Sequence, residues 1–201
     1  MGDFLDKVVL VTGAGVGIGR DVAQAFAAQG AIVAVNDLTP INLDETVHRI
    51  QSLGGNSQAY IADVASKLAL QTMLNEIIDQ FGRVDILIQA VSVNPPDPLL
   101  EIDEWDWRRT LDIDLTGPFL LMQSVGRIMR EQGGGLMVNG ISMNEKSSVS
   151  LAGKSGLIGL TRMAAMEFES LNIRINTVCW GGPEGKQIFG VPEDPVELVL
   201  Y

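Results

Sequence analysis

Short apolar runs alternate with longer stretches in which apolar residues recur every three or four positions, and the alternation persists through most of the 201 residues. The runs at 7–12, 31–37, 57–61, 86–90, 136–141 and 173–178 have the length of strands. The stretches at 17–29, 43–53, 67–81, 103–132 and 149–170 have the period of helices. Strands such as Ile86-Leu87-Ile88 are apolar on both faces, as expected where helices cover both sides of a parallel sheet. Pro118 falls inside the long helical stretch 103–132, so a kink or a junction between two pieces is predicted there. The expected fold is α/β: a doubly wound parallel sheet of the Rossmann type in one domain, 1–201.

The first predicted strand runs straight into a glycine-rich turn, with Gly13, Gly15, Gly17 and Gly19 leading into the first helix. Unpaired N–H groups and the positive end of the helix dipole favour a phosphate at such a point. Glycines permit the tight turn and the close approach of a pyrophosphate. The second strand ends in Asn36-Asp37, at the spacing where a carboxylate accepts both ribose hydroxyls and repels a 2′-phosphate. That favours NAD over NADP. The bland alternatives are a structural turn for the glycines and a helix cap for Asp37.

The net charge of −11 and pI near 4.4 make nucleic acid and anionic membrane poor partners. No apolar run is long enough to span a bilayer, and the amino end leads directly into the first strand with no room for a signal peptide. Cys179 is the only cysteine, which points to a reducing compartment, and a cytoplasmic location is expected. Cys179 is assigned to packing at the end of an apolar strand. His48, the only histidine, sits on a polar helical face and is assigned to solvent, with no metal or triad role. Trp105 and Trp107 are assigned to packing or an interface. The apolar stretches 119–122 and 157–166 exceed one amphipathic stripe, so burial between subunits is expected.

From residue 7 to about 182, these features resemble the classical short-chain dehydrogenase/reductase family. Thr12-Gly13, Gly17-Ile18-Gly19 fit its cofactor loop, and Ala62-Asp63-Val64 fits the acidic-apolar pair that holds the adenine ring. Lys154 lies in KSGLIGLTRMAAME, which resembles the active-site helix, and IRINTV fits the strand that follows. The VNDL ending of the second strand is similar to the branch containing hydroxyacyl-CoA dehydrogenases. The resemblance implies NAD as cofactor, contacted by Gly13, Gly17, Ile18, Gly19, Asp37, Asp63, Val64, Ala90 and Lys154. It also implies an Asn–Ser–Tyr–Lys set in which tyrosine is the general acid/base.

Departures from that set cluster in one half of the site. Ser150 stands at the tyrosine position, and its hydroxyl is shorter and far less acidic than a phenol. Asp114 stands at the asparagine position. Gln89-Ala90-Val91-Ser92 replaces Asn-Asn-Ala-Gly, so a side chain occupies the place of a glycine beside the cofactor. Ser142 matches the catalytic serine, but a loop shorter than the family's is expected to displace it. Trp180-Gly181 replaces Pro-Gly, and Gly185 stands where a threonine would anchor the carboxamide. After Gly182 the chain has only PEGKQIFGVPEDPVELVLY, whose last ten residues resemble the start of a late helix. The seventh strand is expected to be missing, leaving the sixth as an edge for a partner subunit to cover.

Three functions follow from this resemblance. The chain is a noncatalytic subunit supporting an active homologous dehydrogenase, as in the family's hetero-oligomers in which one of two related subunits is degenerate, the hydroxybenzylsuccinyl-CoA dehydrogenase among them. Alternatively, it is an NAD-dependent oxidoreductase in which Lys154 replaces the tyrosine, helped by Ser142, Ser150 and Asp114. In the third case it is an NAD-binding sensor or scaffold. Partners are expected to be a homologous active subunit, or a second copy joined through the segments 103–132 and 149–170.

Overall fold

The computed structural model describes residues 2–142 and 147–180. Six parallel strands, β1 (Val8–Thr12), β2 (Ile32–Asp37), β3 (Asn56–Ile61), β4 (Ile86–Gln89), β5 (Gly135–Ser142) and β6 (Ile173–Trp180), form one sheet in the order β3-β2-β1-β4-β5-β6. This is the doubly wound Rossmann arrangement anticipated from the sequence. All residues of β1 and β4 are buried, because these central strands are covered on both faces.

Helices α1 (Gly17–Ala28) and α2 (Pro40–Ser52) cover one face, packing Val22, Phe26, Leu43 and Ile50 against Val9, Val11, Val33 and Val35. Helices α3 (Lys67–Phe81), α5 (Gly117–Gln132) and α6 (Ser148–Phe168) cover the other with Leu70, Met73, Leu121, Val125 and Leu157. Alternation along each strand divides the core in two. The order of the strands reverses direction between β1 and β4, so their carboxyl ends open the crevice in which such sheets take ligands.

The stretch 103–132 is not one helix. It divides into α4 (Glu104–Leu111), one π-helical segment (Asp112–Thr116) and α5. Pro118 cannot donate to the carbonyl four residues back, and its ring would collide with that carbonyl. The wider π turn just before it relieves the conflict and inserts Asp114 into the core, 2% exposed. Both tryptophans keep exposed surface: Trp105 is 69% exposed and Trp107, more largely covered, 38%. The second helix starts at Pro40 rather than at 43, with Thr39 as its N-cap and proline in the first turn. β6 continues to Trp180, two residues beyond its predicted end.

Among the described residues β6 is an edge of the sheet. The expectations for Gly181, Gly185, the shortened loop at 143–146 and the last ten residues lie outside the described residues. Cys179 is buried in the core, where burial pushes its thiol pKa up, and His48 is exposed.

Candidate functional site

The glycine loop owes its shape to two close approaches. Gly13 has φ of 69°, and a β-carbon there would lie 2.8–2.9 Å from the backbone of Ala90 and Val91. The exit of β4 therefore runs directly along the loop. Gly19 faces the carbonyl of Gly13 so closely that a β-carbon would overlap it. Helix α1 begins at Gly17 with Val16 as N-cap, and no side chain caps its first N–H groups. Those donors are left for an anion, which fits a pyrophosphate.

Asp37 is held by two backbone donors. Its Oδ2 accepts from the Gly15 N–H and its Oδ1 from the Thr39 N–H, each at 3.0 Å. It thus fixes the glycine loop and the start of α2 together. Arg20 adds a second clamp, donating to the Gly15 carbonyl, to the Asn42 carbonyl at 3.2 Å and to Thr46 Oγ1 at 2.9 Å. A carboxylate has about four acceptor sites, so Asp37 retains capacity for ribose hydroxyls.

Beside this loop lies a cavity of about 290 Å³. Gly13, Asp37, Asp63, Val64 and Ala90, all named as candidates above, line it together with Val16, Asn36, Ser92 and Arg109. Asp63 accepts from the Ala65 N–H at 2.9 Å and pairs with Arg109 Nη2 at 2.9 Å. Arg109 was missed from the sequence because it comes from α4, far along the chain. Gly17, Ile18 and Gly19 do not line the cavity. Ile18 packs partly against the core, while Gly17 and Gly19 shape the helix start.

Two residues at positions of the catalytic set, Ser150 and Asp114, are joined outside this lining. Ser150 donates its hydroxyl to Asp114 Oδ2 at 2.9 Å, and Asp114 Oδ1 accepts from the Val93 N–H at 3.0 Å. Ser150 is 0% exposed and Lys154, one turn further along α6, is 3% exposed. Ser147 caps α6 by accepting from the Ser150 N–H at 3.4 Å. Ser142 closes β5 as the register partner of Trp180. Neither Ser142, Ser150, Lys154 nor Asp114 lines the cavity.

A buried chain of side chains seats α6 on the sheet. Gln89 Nε2 donates to Asn139 Oδ1, and Asn139 Nδ2 donates to Thr161 Oγ1, both at 2.8 Å. Thr161 in turn donates to the Leu157 carbonyl at 2.7 Å. Gln89 was noted from the sequence only as a departure. Its longer reach to β5 becomes visible only when the strands are adjacent.

The family pattern "short chain dehydrogenase" matches residues 7–186. The chain belongs to the short-chain dehydrogenase family. It is 38% identical to an uncharacterized oxidoreductase of Thermotoga maritima over 98% of this chain and 81% of that protein. It is 33% identical to the (2S)-[(R)-hydroxy(phenyl)methyl]succinyl-CoA dehydrogenase subunit BbsD of Thauera aromatica, over 88% of this chain and 73% of that one. Among solved structures, a 7α-hydroxysteroid dehydrogenase complexed with NADH and 7-oxo glycochenodeoxycholic acid superposes with a TM-score of 0.82 at 32% identity, covering 88% of this chain and 71% of that one. The nucleotide cradle described above fits the nicotinamide dinucleotides that such relatives bind. No helix among the described residues is long and apolar enough to cross a membrane.

Proposed function

We propose that this chain is a nucleotide-binding but noncatalytic subunit of the short-chain dehydrogenase type, supporting a homologous subunit that carries the full catalytic set and acts on a hydroxyacyl-CoA or another alcohol. The observation that carries this is the Ser150–Asp114 hydrogen bond. When bound, nicotinamide supplies or accepts a hydride, and the chain must then move a proton at the substrate oxygen. Here the only hydroxyl at the tyrosine position is sealed from solvent and directs its proton to a carboxylate. An aliphatic hydroxyl is also too weak an acid to cycle protons near neutral pH.

Two further features support the proposal. One relative is by name a subunit of a CoA-thioester dehydrogenase. Trp105, Phe119, Leu151, Met163 and Met166 of α4, α5 and α6 leave large apolar surfaces exposed, and Phe119 and Met163 line a groove of about 250 Å³ between α5 and α6. Such surfaces are typical of subunit contacts. The alternative in which Lys154 acts as the acid/base is opposed by its burial and by its absence from the cavity lining.

The test is to purify the chain alone and together with a homologous chain bearing the Tyr-x-x-x-Lys motif. NADH binding without turnover by the isolated chain, and co-purification with the active homologue, is the expected result. Turnover by the isolated chain that disappears in Lys154→Ala overturns the proposal.

A further inference from the structure

We propose that the site is selective for the adenosine-diphosphate half of the dinucleotide, so that ADP-ribose binds as tightly as NAD and the nicotinamide riboside half adds nothing. The inference rests on the noncatalytic reading and names the ligand class of the same site. A dinucleotide crosses the sheet at its switch point, one half on each side. On the β2–β3 side the cradle is complete: the uncapped N-terminus of α1, Asp37 held by two backbone donors, and the cavity walled by Val64, Asp63 and Arg109.

On the other side, towards the ends of β5 and β6, the described side chains are closely packed. Trp180 is register partner to Ser142 and on the same face of the sheet as Val178 and Gly140. Its six-membered ring lies over Gly140, where a β-carbon would come within 2.9 Å of the indole Cη2, 3.0 Å of Cζ3 and 3.1 Å of the Gln89 carbonyl. The indole therefore occupies volume that any side chain at 140 would claim, and it flanks Ser142. Lys154, Ser150 and Asp114, all at most 3% exposed, offer no open surface to a second ribose.

The experiment is calorimetric titration of the full chain with NAD, ADP-ribose and nicotinamide mononucleotide, alongside a turnover assay. ADP-ribose and NAD should bind within threefold of each other, and the mononucleotide should not bind at millimolar concentration. Asp37→Ala should weaken ADP-ribose and NAD by the same factor. Trp180→Ala should shift the ratio towards NAD by more than threefold. NAD binding more than threefold tighter than ADP-ribose in the parent chain, binding of the mononucleotide, binding of none of the three, or a ratio unmoved by Trp180→Ala overturns the inference. A preference for NAD without turnover defeats this inference alone, whereas turnover defeats the noncatalytic proposal as well.

Discussion

Replacing Ser150 with alanine separates a structural hydroxyl from a chemical one. In the parent chain Asp114 is 2% exposed and each of its oxygens has a donor: Val93 N–H on Oδ1 and Ser150 Oγ–H on Oδ2. Alanine leaves Oδ2 without the serine donor in a place where the 0% exposure of residue 150 shows no path for water. A hydrogen bond to a charged group contributes about 1.5–3 kcal/mol. Ser150→Ala should therefore destabilise the fold by about that amount in urea unfolding at pH 7, lowering Tm by roughly 4–10 °C for a domain of this size. In a double-mutant cycle with Asp114→Ala, the coupling should be about 1–2 kcal/mol, because the hydroxyl loses its partner. Turnover by the isolated chain should be absent before and after the change. A variant within about 0.5 kcal/mol of the parent, or an additive cycle, would refute the assigned hydrogen bond.

Three other outcomes follow from the geometry. A β-carbon on Gly15 would stand 2.6 Å from Asp37 Oδ2, so Gly15→Ala should displace that carboxylate. Nucleotide affinity measured by fluorescence titration should then fall about tenfold, a loss of about 1.4 kcal/mol, and an unchanged Kd would show that Asp37 is not a positioned acceptor. The Tyr60 hydroxyl donates to Gln80 Oε1 at 2.8 Å, and burial, with Glu76 nearby, pushes its pKa up to about 12. The raised value means the fold favours the protonated phenol, so this stabilisation is complete below pH 10 and is lost as pH rises from 10 to 12. Parent and Tyr60→Phe stabilities, compared across that interval, should converge by on the order of 1–2 kcal/mol, and parallel curves would contradict the assignment. The partly exposed Arg109–Asp63 pair should behave differently. Arg109→Ala should cost no more than about 1 kcal/mol of stability, less at high salt, and a larger loss would mean that the pair is structural.

What the sequence displayed was the part of the site built from contiguous residues. The glycine loop and Asp37 belong to one strand–helix–strand unit, so their spacing alone placed them together. Asp63 and Val64 were legible through resemblance, and the structure puts them in the same cavity. Arg109, Asn139 and Thr161 were not legible, since each acts through a partner on another element. Pro118 announced a junction in the stretch 103–132, but not that the junction would be a π turn. Trp105 and Trp107 were assigned to packing or an interface, and the sequence could not choose, because an apolar side chain does not reveal whether its cover comes from the same chain. The departures at 114 and 150 were each visible singly. Their hydrogen bond across 36 positions was not.

That bond explains why the two departures coexist. A buried carboxylate without donors would cost several kcal/mol, and Ser150 adds a donor to Asp114 beside the Val93 N–H. Serine provides the hydroxyl at the needed distance, and α6 approaches the π turn closely enough for it to reach. Gly153 and Gly156, on the same side of α6, permit that approach: β-carbons there would lie 3.0 Å from Asp114 Cβ and 3.1 Å from Leu115 Cδ2. A tyrosine at 150 would have to enter a space already closed to 0% exposure, forcing α6 away from the π turn. Overpacking of this kind costs about 1–3 kcal/mol, and displacing the serine also removes a donor from Asp114. The helix contact at Ser150 is therefore held by several residues at once, and Ser150→Tyr alone should destabilise the chain without turnover appearing.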